Sequence, residues 1–253
     1  MSANFREVAR ATTSPISQQT VTEVLVDVED QAIVFFVGGA GDKSAYYFNG
    51  PYKNIEFAKQ YFDARVKAFA KEGKYKSFYL GFEEVRGKKD IEKYVLGTIP
   101  SRKLPVYIVG HSLGAWNGAH LSAILVEKGY KVPMLITLDP VGEGALVWLD
   151  SDIYRKEPKP KADFWINIGA APEKPDQSDG VADFGERWTV ESGPNVNIKI
   201  DANHYDAKGM FRYDVGGGFS AADFMHTSIG LYLNRSEGRA LPALDAIMPL
   251  TTQ

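Results

Sequence analysis

The chain has no cysteine. Disulfides, thiolate metal sites and a cysteine nucleophile are therefore excluded together. Only four histidines occur, at positions 111, 120, 204 and 226, so imidazole chemistry has four addresses. A net charge of −3 gives no broad electrostatic footprint for nucleic acid. The longest unbroken apolar run, residues 32–37, is far too short to span a bilayer. MSANFREVARATTSPISQQT, at the start, lacks the apolar stretch of a secretory signal. The expectation is a cytoplasmic protein, with signal-less secretion as the alternative. No internal repeat or low-complexity linker interrupts the chain.

What remains is patterned. At 253 residues the length suits one α/β domain. Residues 1–20 are polar and Ser/Thr-rich and read as a loose arm; 21–253 read as a single domain. Strand-like runs occur at 22–28, 32–37, 76–82, 105–109, 133–138, 162–168 and 195–200. Helical patterns fall between them at 54–71, around 88–98 and at 114–128. A last one opens at a capping box, Ser220 to Asp223. This alternation predicts an α/β fold: a doubly wound, mostly parallel sheet with helices on both faces. Ligands in such sheets bind beyond the carboxyl ends of the strands.

Chemistry is concentrated there. Gly110-His111-Ser112-Leu113-Gly114 joins a strand to a helix of small residues. A serine in such a turn is strained and projects from the sheet rim, and its flanking glycines let strand and helix pass closely. Ser112 is thus a candidate nucleophile, and the N–H of Leu113 a candidate oxyanion donor. Gly38-Gly39-Ala40-Gly41 ends an earlier strand and offers the second donor at Gly39 or Ala40. A phosphate loop would need Gly-Lys-Ser/Thr, whereas Asp42-Lys43-Ser44 follows.

Among the histidines, His111 adjoins the nucleophile on a tight turn and diverges from it. His120 lies on the order of 12 Å along the helix and reads as a packed, hydrogen-bonded residue. His204, on a loop after the last strand, is the favoured base; His226, inside the C-terminal helix, is the alternative. The favoured orienting acid is Asp139, which ends a strand, with Asp176, Asp179 and Asp183 as alternatives. Residues 174–188 read as an inserted loop shaping access. Candidate pocket walls are Tyr46, Tyr47 and Phe48, then Val147, Trp148 and Leu149, then Phe211 and Tyr213.

These stretches resemble the α/β-hydrolase superfamily, and more narrowly its lipase- and esterase-like members. GHSLGA is similar to the lipase elbow, LITLDPVG to the acid turn of the pancreatic-lipase group, and ANHYDAKGMF to its histidine loop. The resemblance implies Ser112 as nucleophile, Asp139 as acid and His204 as base, acting without a cofactor on a small-molecule or lipid ester. An acyltransferase or thioesterase with the same three residues, or a non-catalytic binding module, are the alternatives. The sequence sets no oligomeric state.

Overall fold

A computed structural model describes residues 30–45 and 50–236. The arm at 1–20, the strand expected at 22–28 and the wall residues Tyr46, Tyr47 and Phe48 lie outside these described residues.

The centre is one strand buried on both faces. In β1 (Ala32–Gly38), Ile33, Phe35 and Val37 point into one apolar cluster, and Ala32, Val34 and Phe36 into another. Period-two geometry sends alternate side chains to opposite sides, so a continuous apolar run is what a two-sided strand requires. Each such Val, Ile or Phe contributes roughly 1.5–3 kcal/mol on burial. The nucleophile strand β3 (Pro105–His111) divides likewise, with Val106 and Ile108 to one side and Tyr107 and Val109 to the other.

Around these lie β2 (Tyr75–Gly81), β4 (Lys131–Leu138), β5 (Phe164–Ala170) and β6 (Val196–Ile200). The six strands form one sheet in the order β2-β1-β3-β4-β5-β6, every pair parallel. Chain order runs outward from β1 to β2 and then crosses to β3 on the other side. The crevice between the ends of β1 and β3 is therefore the topological switch point, where open α/β sheets bind ligands.

Helices cover both faces. α1 (Asn54–Lys67) places Ile55, Ala58, Phe62 and Val66 in one cluster, together with residues of two later helices, α6 (Ala207–Arg212) and α7 (Ala221–Ser236). α3 (Leu113–Glu127) lies on the opposite face and buries most of its length. The stretch expected as one helix near 88–98 is instead a three-residue turn, α2 (Lys88–Asp90), followed by a π-turn and a 3₁₀-turn. Two short helices, α4 (Ala145–Asp150) and α5 (Gln177–Phe184), follow β4 and β5. The inserted loop expected at 174–188 is thus largely helix. Asp176 accepts the Ser178 N–H, Asp179 accepts the Asp176 N–H, and this reciprocal cap starts α5. A two-stranded hairpin, β7 (Asp214–Gly216) and β8 (Phe219–Ser220), leads into α7. Ser220 and Asp223 cap α7 reciprocally, as the sequence predicts.

Candidate active site

The elbow between β3 and α3 is held by three close approaches. Ser112 has φ 57° and ψ −130°, a region that non-glycine residues avoid at a cost of roughly 1–3 kcal/mol. A Cβ on Gly110 would stand 2.5 Å from the Ala115 Cα. One on Gly114 would strike the Val37 carbonyl and come within 2.6 Å of the Gly38 carbonyl oxygen. One on Gly39 would lie 2.5 Å from the Ser112 Cβ and 2.9 Å from its Oγ. Only glycine at these positions lets the end of β1 sit against the serine.

The glycine loop is pinned from beneath. Asp42 is buried and accepts the Ile55 N–H at 3.1 Å and the Tyr79 hydroxyl at 2.9 Å. Burial pushes its carboxyl up, against these hydrogen bonds. Among the described residues no acceptor is bonded to the N–H groups of Leu113, Gly39 or Ala40. Ala40 and Ser112, which Gly39 and Leu113 adjoin in the chain, line a cleft of about 600 Å³ together with His111, Ser178, Val181 and His204 among others.

Ser112 Oγ lies 3.0 Å from His204 Nε2. His204 Nδ1 lies 2.6 Å from Asp139 Oδ2. The three come from the ends of β3 and β4 and from the loop after β6, and all are buried. Since a carboxylate can only accept, Nδ1 carries the proton and Nε2 accepts from the serine hydroxyl. Asp139 also accepts the Ala170 N–H at 2.9 Å and Arg187 Nε at 2.9 Å. Burial pushes its carboxyl up, but His204, Ala170 and Arg187 together bring it below the ordinary range.

The alternatives from the sequence go elsewhere. His226 is partly buried and packs edge-on against Phe69, just beyond α1, with ring centroids 4.8 Å apart, and the structure does not bring it to Ser112. Asp176 caps α5, Asp183 pairs with Arg187, and Asp179 accepts the backbone N–H of His204 at 3.0 Å rather than its imidazole. None of the three orients the ring. His120 donates to the Lys156 carbonyl at 2.8 Å and stacks near Tyr154, as a packed histidine. Val147, on α4, is buried, and the Trp148 Nε1–H donates to the Gly142 carbonyl at 2.7 Å. Phe211 belongs to the core and Tyr213 is exposed; neither lines the cleft.

Two residues make contacts here that the sequence does not foretell. His111 Nε2–H donates to the His204 carbonyl at 2.7 Å, and the two rings stand 4.7 Å apart. Burial pushes the His111 imidazole down to about 3, so it is neutral beside His204. Arg187 bridges Asp139, Asp179 and Asp183. Its i,i+4 relation to Asp183 is visible in the sequence, but its reach across 48 residues to Asp139 is not. Among the described residues no group of His, Asp and Glu is arranged to hold a metal ion, and no helix is long and apolar enough to cross a membrane.

A parallel sheet in this strand order, with a strained serine at a strand–helix elbow beside the switch point, is the α/β-hydrolase fold. No protein-family profile matches the chain, and no curated protein matches it. Among solved structures it is similar to the type II thioesterase YbtT of the yersiniabactin biosynthetic pathway. That match has 11% identity and a TM-score of 0.41, covering 82% of this chain and 94% of that one. The esterase domain of a Rhodothermus marinus protein matches at 12% identity and a TM-score of 0.41, covering 83% of this chain and 89% of that one.

Proposed function

We propose that the protein is a serine hydrolase that cleaves a carboxylic ester through an acyl-enzyme on Ser112. The observation that supports this best is the unbroken hydrogen-bonded line from Ser112 Oγ through His204 to Asp139, beginning at a strained elbow. His204 Nε2 takes the hydroxyl proton as Oγ adds to the ester carbonyl. Asp139 holds the imidazole in the tautomer that can accept and stabilises it once charged. The carbonyl oxygen becomes an oxyanion facing the N–H groups of Leu113 and of Gly39 or Ala40; one such donor is commonly worth about 3–4 kcal/mol. His204 then protonates the leaving alkoxide, and the acyl group remains on Oγ. Water, deprotonated by the same imidazole, attacks the acyl-enzyme and releases the acid. No step uses a metal or organic cofactor.

The test is covalent. A fluorophosphonate should label Ser112, as peptide mapping reads directly, and turn over no further. His204→Ala should suppress labelling, whereas His226→Ala should leave it intact. Parallel p-nitrophenyl ester, acyl-thioester and acceptor-alcohol assays separate ester hydrolysis from thioester cleavage and acyl transfer. Ester turnover unchanged in Ser112→Ala refutes the proposal.

A further inference from the structure

We propose that Arg187 is a positioning residue for Asp139 and His204, acting by closing a hydrogen-bonded ring around the histidine loop. The proposal rests on the hydrolase reading above. Asp139 Oδ2 accepts both His204 Nδ1–H, at 2.6 Å, and Arg187 Nε–H, at 2.9 Å. Arg187 Nη2 donates to Asp179 Oδ1 at 2.9 Å, and that oxygen also accepts the backbone N–H of His204 at 3.0 Å. The circuit therefore runs from the His204 ring through Asp139, Arg187 and Asp179 to the His204 backbone. Asp183 takes the remaining arm of the guanidinium.

The ring is built on backbone that fixes its corners. Residues 186–188 run antiparallel to the turn after Asp139. Gly142 N–H donates to the Glu186 carbonyl at 3.0 Å, Trp188 N–H to the Pro140 carbonyl at 2.7 Å, and Val141 bridges Arg187. This places the guanidinium over the acid. Asp179 is fixed by the cap of α5 and by Asn203 Nδ2, at 2.8 Å. The carboxyl groups of Asp139 and Asp179 are nearly sealed from solvent, with side chains 2% and 3% exposed, so removing their shared cation leaves two buried anions with hydrogen-bond donors but no counter-charge from Arg187. His204 itself sits on a loop, with α6 beginning only at Ala207. A planar fork that spans three carboxylates does what an ammonium cannot.

The experiment compares wild type with Arg187→Met and Arg187→Lys. The first readout is the exchange-protected His204 Nδ1–H proton resonance, assigned by its loss in His204→Gln. The second is the split between kcat and KM for a p-nitrophenyl ester. In both variants the resonance should broaden or vanish and kcat should fall ~10–10²-fold, with KM nearly unchanged, the size of effect expected when a reacting group is misplaced by about 1 Å. Arg187→Lys keeps charge and most of the volume, so it decides between the outcomes if Arg187→Met does not fold. A wild-type resonance and kcat in Arg187→Lys overturn the proposal. A resonance that depends on Arg187 in a protein without ester turnover upholds the ring and refutes the hydrolase reading instead.

Discussion

His111 offers a prediction that needs no substrate. Its ring is buried, its Nε2–H is committed to the His204 carbonyl, and Nδ1 has no hydrogen-bond partner among the described residues. Burial, reinforced by His204, pushes it from the usual 6.5 down to about 3. The unfolded chain therefore binds a proton at His111 that the folded chain refuses. The stability this group contributes is complete above pH 6.5 and is lost as pH falls from 6.5 towards 3. At about 1.4 kcal/mol per unit, the full loss is about 5 kcal/mol, and the part lost by pH 4.5 is about 3 kcal/mol. His111→Gln keeps an N–H donor for the carbonyl and cannot titrate. Urea unfolding of both proteins at intervals from pH 7.5 to 4.5 isolates the contribution, because the remaining titrating residues are common to both. The variant starts less stable through lost packing and gains on wild type by about 3 kcal/mol across that range. A gap that stays constant with pH would refute a neutral, proton-refusing imidazole at this position.

Three further outcomes follow from the close approaches and the acid. Gly39→Ala drives a methyl onto Ser112, so fluorophosphonate labelling should slow at least ~10²-fold while the melting transition stays cooperative; a wild-type labelling rate contradicts that contact. Gly114→Val forces branched carbons against the carbonyls of Val37 and Gly38 and should cost at least ~1–3 kcal/mol in urea unfolding. A midpoint within error of wild type means strand and helix are not pressed together there. Asp139→Asn should lower kcat ~10⁴-fold by favouring the wrong tautomer of His204, and a loss under tenfold, measured on the same p-nitrophenyl ester, assigns the orienting role elsewhere.

Much of this is legible in the sequence because it is local. The buried strand at 32–37, the small-residue helix after Ser112 and the Ser220–Asp223 cap each declare themselves within a few residues. The elbow is legible for the same reason: two glycines and a serine occupy one turn. Asp179 illustrates what is not. The sequence marks it as a rival acid, and the fold does bring it to His204, but to the backbone N–H. Which of two neighbouring carboxylates meets the ring depends on the backbone pairing of 186–188 with 140–143, a tertiary fact without periodicity. α5 is hidden because its start rests on a cap between two aspartates in a stretch rich in turn residues, and Gly180 weakens its helical pattern. The tight turn at His111 argues against a role as base, but nothing in that turn foretells its bond to a loop 93 residues away.

The imidazole beside Ser112 is supplied from 92 residues further along the chain, beyond the final strand of the sheet. During synthesis the serine emerges first and waits, at ordinary elongation rates roughly 5–18 s, before its partner leaves the ribosome. A fragment severed after β5 would carry Ser112 and Asp139 without His204. On the proposed function, the order of translation leaves the nascent chain without its base until the segment beyond β6 has emerged.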